Sequence, residues 1–289
     1  MKQKIALVLS GGGARGTAHI GAIEELISQG YEITSIAGTS MGSVIGGMYA
    51  LGKMEEFKEW ICSLDRRRAF QLVDFSIGQQ GLVKAEKVFK AMQQFAPDVN
   101  IEELKLPYVA ISADIINREE VAFNSGSLYK AMRASIAIPS LITPVKTKDG
   151  VLVDGGVMNN IPVNHVKRNE GDMLVVVDVN ATVPVQMIVQ TEEEESEKKS
   201  KYQAKVKEFY GHLQRFYPLH KVDKFGYVDL VGKTVNLMIY QIAQLHLEQY
   251  NPDLLINVSR DSCGTYDFFK AEELVEMGRA AAKEAVFNV

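Results

Sequence analysis

The stretch Gly38-Thr39-Ser40-Met41-Gly42 sets a serine between two glycines directly after the apolar run Ile33-Thr34-Ser35-Ile36-Ala37. A strand that turns sharply into a helix needs small residues on both sides of the turn, and the hydroxyl at its tip then stands clear of the backbone. Downstream, Ser43 to Leu51 reads as a glycine-permissive, close-packed helix that ends near Gly52. The bare G-x-S-x-G pattern is weak evidence: with 23 Gly in 289 residues, it arises by chance in roughly one such chain in ten. Context has to carry the rest.

That context is an alternation of apolar strand-like runs with helix-like segments. The runs are Lys4–Leu9, Ile33–Ala37, Tyr108–Asp114, Val121–Asn124, Val151–Asp154, Met173–Val179 and Leu254–Ser259, with a last helix from about Phe269 to Val286. The pattern predicts an α/β fold, a three-layer α/β/α sandwich around a mostly parallel central sheet. Leu174-Val175-Val176-Val177 is the clearest strand buried on both faces. One domain over residues 1–289 is expected, with a helical insertion or lid at about 181–250. Within that stretch Glu194/Lys198, Glu195/Lys199 and Glu197/Lys201 stand four apart, as on a solvated helix surface. From Thr234 to Tyr250 an apolar stripe of Val235, Met238, Ile239, Ile242 and Leu245 reads as a core helix, or else as a lipid-facing lid or dimer surface.

Composition excludes several classes. The net charge of -4 and the absence of a basic stripe give no electrostatic footprint for nucleic acid, and Arg66-Arg67-Arg68 is too short to change that. Cys62 and Cys263 are too sparse for a disulfide framework or a zinc site. Lys2 and Lys4 precede an apolar run as in a secretory leader, but the run stops after five residues at Gly11-Gly12-Gly13, so a first strand explains it better. No stretch approaches the ~20 apolar residues of a membrane span. The chain is therefore expected to be cytoplasmic, with at most a peripheral membrane contact.

Two further segments bear on chemistry. Ser10-Gly11-Gly12-Gly13-Ala14-Arg15-Gly16 follows the first strand and opens a helix, so its backbone N–H groups and the helix N-terminus form a concavity for an anion. Gly11, Gly13 and Gly16 also satisfy G-x-G-x-x-G, which makes a nucleotide- or phosphate-binding regulatory module the alternative. A dinucleotide site wants a carboxylate at the end of the second strand, where this chain has Gly38-Thr39-Ser40. An oxyanion hole is the use of the loop compatible with a serine elbow. The other segment is Val151-Leu152-Val153-Asp154-Gly155-Gly156, in which an aspartate ends an apolar strand and can reach a site that several strands share.

Taken together, these three pieces resemble the patatin-like phospholipases: the glycine-rich loop Gly11 to Gly16 with Arg15, the elbow Gly38 to Gly42, and Asp154-Gly155-Gly156. Met132 to Val145 is similar to that family's helix-to-proline segment, and the resemblance runs from Lys4 to about Val179. It implies a lipid acyl hydrolase, of phospholipase A or carboxylesterase type, acting on a lipid or other acyl ester without metal or cofactor. It also implies a Ser40–Asp154 dyad working through an acyl-enzyme, with anion-binding N–H groups at Gly12, Gly13 and Arg15. A free aspartate, with a pKa near ~3.9, is a poor base unless burial raises it, so Asp154 should sit in a desolvated pocket. A histidine triad would need His165, His212, His220 or His246 after Asp154; the early position of Ser40, after the second strand, argues against it. The sequence assigns no oligomeric state.

Overall fold

The computed structural model describes residues 2–72, 83–139, 141–185 and 227–287. Eight strands form one mixed sheet: β1 (Gln3–Leu9), β2 (Tyr31–Thr39), β3 (Tyr108–Asp114), β4 (Glu119–Phe123), β5 (Val145–Lys146), β6 (Val151–Asp154), β7 (Met173–Ala181) and β8 (Leu254–Ser259). Each strand-like run of the sequence is a strand here, and the two-residue β5 is the addition. Strands β3, β2, β1, β7 and β8 run parallel in that order. The antiparallel edge made by β4, β5 and β6 was not anticipated, because strand direction is a property of connections and not of apolar runs.

The layers follow from alternation along the strands. On β1, Ile5, Leu7 and Leu9 enter the main core, whereas Val8 faces a second cluster. On β7, Val175, Val177 and Val179 join the main core, and Leu174 and Val176 the second. Helix α1 (Ala18–Ser28) lies against the last helix (Ala271–Phe287) so closely that Gly278 meets the carbonyl of Ala18 and Gly21 that of Val275. On the opposite face Ala243, from the helix Tyr227–Tyr250, packs into the second cluster with Leu247 and Tyr250 beside it.

The remaining helices are α2 (Met41–Leu51), α3 (Met54–Cys62), α4 (Arg66–Gln71), α5 (Glu86–Met92) and α6 (Leu128–Ser135); with α7 (Tyr227–Tyr250) and α8 (Ala271–Phe287) they complete the set described. The first helix begins at Ala18, and a 3-10 turn over Gly13–Thr17 joins the glycine loop to it. By contacts the chain divides into two compact units, Met1–Gln186 with Val235–Val289, and Met187–Thr234. Of the second unit only 227–234 is described, as helix. The charged pairs between Glu194 and Lys201, and both His212 and His220, lie outside the described residues. The stripe expected from Thr234 to Tyr250 is on α7, but Val235, Met238 and Leu245 are exposed and Ile239 and Ile242 half-buried, and the residues that pack into the core are Ala243, Leu247 and Tyr250.

Candidate active site

One edge of β3 is shared. Strand β4 occupies its outer side over Ala110–Asp114, so β2 and β6 must divide the other: β2 pairs as far as Thr39↔Ile111, and β6 takes over with Asp154↔Ser112. Chain β2 has to leave the sheet for β6 to enter it, and it leaves at Ser40. This hand-over brings the serine and the aspartate, far apart in sequence, to neighbouring positions.

The departure is a strained turn. Ser40 has φ 53° and ψ -126°, a conformation that costs a non-glycine residue of order 1–3 kcal/mol and persists only where the surroundings enforce it. They do. The Ser40 N–H donates to Ser135 Oγ (2.9 Å), which donates in turn to the Ile111 carbonyl (2.5 Å). The Ser40 carbonyl accepts from Ser43 N (2.9 Å) and Ser43 Oγ (2.6 Å), starting α2, and the Thr39 hydroxyl donates to the Asn159 carbonyl (2.8 Å). Glycine is required on both sides: a Cβ on Gly38 would sit 2.5 Å from the Gly42 carbonyl, and one on Gly42 would strike the carbonyls of Leu9 and Ser10.

Asp154 is 6% exposed and Ser40 5%. Burial pushes the pKa of the Asp154 carboxyl up to about 6, against the opposing pull of the neighbouring Ser40 side chain and of the Gly156 N–H. That N–H donates to Asp154 Oδ1 at 2.8 Å, and the Asp154 N–H donates to the Ala137 carbonyl at 2.9 Å. Gly155 lets the turn pass against the Ile111 carbonyl, and Gly156 lies beside Asn160 Oδ1 and Asp154 Oδ1. The carboxyl thus has the desolvated environment that base chemistry by an aspartate demands.

The glycine loop borders the pair. A Cβ on Gly11 would lie 3.1 Å from Ser40 Cβ, and one on Gly16 would strike Met41. Gly11 N–H donates to the Asn160 carbonyl (3.1 Å) and Ala14 N–H to the Thr265 carbonyl (2.8 Å), while the N–H groups of Gly12 and Gly13 have no acceptor among the described residues. Arg15 is differently engaged. Its guanidinium donates to the carbonyls of Val179 (3.2 Å) and Cys263 (3.4 Å) and to Asn180 Oδ1 (2.9 Å).

No described histidine bonds to Ser40 or Asp154. His19 is buried, its Nε2 lies 2.8 Å from the Ser10 carbonyl, and burial lowers its pKa to about 4, so it is neutral and donates there. His165 pairs with Glu120 (2.8 Å), and His246 Nδ1 meets Asn159 Oδ1 (3.0 Å). Asn159 also donates to Glu120 and Asn164, so its amide joins β4 and α7 to the turn after Asp154. Asn159, Asn160 and Asn180 went unassigned in the sequence. The Asn-Asn pair after Asp154-Gly155-Gly156 was a visible signal for two of them, whereas Asn180 acts across 169 positions. No cluster of metal-ligand type occurs among the described residues, nor does a helix long and apolar enough to cross a membrane.

Ser40 opens on a cavity of about 520 Å³ between α3, α4, α5 and the segment Phe268–Lys270. Phe57, Trp60, Ile61, Phe89 and Met92 form much of its wall, and Arg66, stacked 4.3 Å over the Phe269 ring, is the one charged side chain among the described lining.

Comparison with known proteins places the chain in a family. The family model described as patatin-like phospholipase matches residues 7–167. An uncharacterized NTE family protein of Mycobacterium tuberculosis is 31% identical over 328 residues, spanning 98% of this chain and 91% of its own. Lysophospholipase NTE1 of Candida glabrata is 30% identical over 187 residues, 62% of this chain and 11% of its own. Among solved structures, VipD from Legionella pneumophila aligns over 99% of this chain and 67% of its own, at 12% identity and a TM-score of 0.49.

Proposed function

This chain belongs to the patatin-like phospholipase family, and from that premise we propose that it is a serine hydrolase of lipid carboxylic esters that uses Ser40 and Asp154 as a dyad. What carries the reading is one juxtaposition: a strained serine beside a desolvated carboxyl, at the mouth of an apolar cavity. In the first half-reaction Ser40 Oγ attacks the ester carbonyl while its proton passes to Asp154, and the Gly12 and Gly13 N–H groups receive the oxyanion. Collapse expels the alcohol, which takes the proton from Asp154 and leaves an acyl-serine. Water then attacks that acyl group, giving its proton to Asp154, and the fatty acid departs as Ser40 recovers its hydrogen.

The cavity bears on the substrate. A dry apolar cavity of roughly 150 Å³ holds one benzene, so 520 Å³ corresponds to about 20 carbons by the same ratio. One long acyl chain is within that volume. Lysophospholipids, like the substrates named for the fungal relative, are within that class. A nucleotide would find almost no polar partner on this wall.

Membrane access is consistent with the β3–β4 turn. Strand β3 continues beyond the level of Ser40, and Ile115 and Ile116 at its tip are 54% and 60% exposed, with Arg118, Lys146 and Lys148 exposed nearby. Turn tips are ordinarily polar, and an apolar pair flanked by cations suits an anionic lipid interface.

The test uses a labelled fluorophosphonate and a p-nitrophenyl ester. Ser40 should carry the label, and Ser40→Ala and Asp154→Asn should each lose hydrolysis by about 10³-fold or more. Activity surviving in either variant, or a thermal shift with nucleotide and none with fluorophosphonate, would overturn the dyad.

A further inference from the structure

Arg15 sits in the anion loop, yet its side chain faces the end of β7. Its three hydrogen bonds reach the carbonyls of Val179 and Cys263 and the amide oxygen of Asn180. Asn180 is held from the other side as well, since its backbone N–H donates to Asp178 Oδ1 at 2.9 Å. With its oxygen given to Arg15, the Asn180 amide must turn its Nδ2 hydrogens outward. One of them meets the Gly11 carbonyl at 2.6 Å, where Asn160 Nδ2 adds a second, longer contact at 3.4 Å.

The Gly11 carbonyl is one end of a rigid unit. The peptide joining Gly11 to Gly12 is planar and trans, so its C=O and N–H point in opposite directions. Pinning the oxygen toward Asn180 and Asn160 fixes the Gly12 N–H away from them. Glycines on both sides would otherwise leave that plane free to rotate, and an oxyanion donor gives its full effect only when it is aimed before the charge develops.

We infer that Asn180, oriented by Arg15, is a positioning residue that aims the Gly12 N–H, and that Arg15 serves the oxyanion hole through this relay without contacting substrate. The inference rests on the dyad reading above. It also gives a reason for arginine at position 15: only a planar fork can reach two carbonyls and an amide oxygen at once.

The experiment compares wild type with Asn180→Ala, Asn180→Asp and Arg15→Lys on a p-nitrophenyl ester, alongside inhibition by an alkyl trifluoromethyl ketone and by the matching methyl ketone. The first ketone forms a tetrahedral adduct with serine and needs the oxyanion donors; the second reports ground-state binding. Each variant should lose kcat by about 10- to 100-fold, below the cost of deleting a donor outright, with KM within about 3-fold. Affinity for the trifluoromethyl ketone should fall in step with kcat, and affinity for the methyl ketone should stay. Arg15→Lys keeps the charge and so separates aim from charge if the Asn180 variants fold poorly. Unchanged kcat in the folded variants would overturn the relay, and so would equal losses for both ketones, which mean general disruption. Fluorophosphonate labelling of wild type distinguishes the two levels: no label on Ser40 sinks the dyad and the relay with it, whereas label with intact variant kinetics sinks the relay alone.

Discussion

The end of the sheet around Ser40 and the cavity beside it meet at Gly13, Ser40 and Met41 and are built on opposite terms. At the sheet end, position is set by backbone against backbone: Gly38 against Gly42, Gly42 against Leu9 and Ser10, Gly155 against Ile111. Most polar groups there have a partner, and the N–H groups of Gly12 and Gly13 have no acceptor among the described residues. In the cavity, position is set by side chains from α3, α4 and α5, which keep a void and make few hydrogen bonds across it. Under the proposed function, the chemistry falls to the first region and the choice of acyl chain to the second. Substitutions in the two should therefore fail in different ways.

The largest effect is expected at the backbone contact. Gly42→Ala forces a Cβ onto carbonyls of β1, a central strand that cannot retreat, so stability should fall by about 3 kcal/mol or more and activity with it. A folded, active Gly42→Ala enzyme, judged by urea melts and ester hydrolysis, would break the claim that this end is fixed by backbone.

Next comes the buried carboxyl. Asp154 is raised from 3.8 to about 6 in the folded chain, so between those values the folded state binds more protons than the unfolded one, and stability falls as pH rises through that window. Asp154→Asn removes the cost. The variant, though inactive, should match wild type below about pH 4 and exceed it by about 3 kcal/mol above pH 7. Wild-type kcat/KM should rise through the same titration as the base ionises. Denaturation at the two pH values checks the sign, and a variant less stable than wild type at pH 8 would refute it.

The cavity should respond in selectivity and not in chemistry. Ala69, half-buried on α4, lines it; Ala69→Phe adds a ring of benzene size and should shorten the preferred acyl chain by about six carbons. Hydrolysis of a two- to four-carbon ester should stay within about 2-fold while the longest esters lose about 10-fold. Equal losses on both would erase the division of labour. The smallest effect is expected at the rim, where Ile115→Ser with Ile116→Ser should reduce hydrolysis in anionic vesicles by about 3- to 10-fold and leave a soluble ester unaffected. A matching loss on the soluble ester would show that the turn acts on the site and not on the lipid surface.

Much of the sheet end was legible in the sequence because glycine is conspicuous. Gly38, Gly42 and Gly155 stand where a Cβ would strike backbone, and a residue type selected by exclusion leaves a readable mark. The strands were legible for a similar reason, since doubly buried runs are continuous. The antiparallel edge was not, and neither was the cavity, whose wall residues are ordinary apolar positions of short helices. Arg15 read as an anion ligand from its place in the loop, and only the fold shows its fork spent on Val179, Asn180 and Cys263.

What the sequence determined by itself is therefore the local geometry: a serine on a turn too tight for a Cβ on either side, a loop with N–H groups to spare, and an aspartate at a strand end. Those are constraints between near neighbours, and residue type encodes them directly. Only the tertiary structure decided that β2 leaves the edge of β3 where β6 enters, which puts Asp154 beside Ser40. The same holds for the burial that lifts its pKa to about 6, and for the void that remains when three short helices pack beside it. Pairing, desolvation and empty volume are relations between distant segments, and no single stretch of chain carries them.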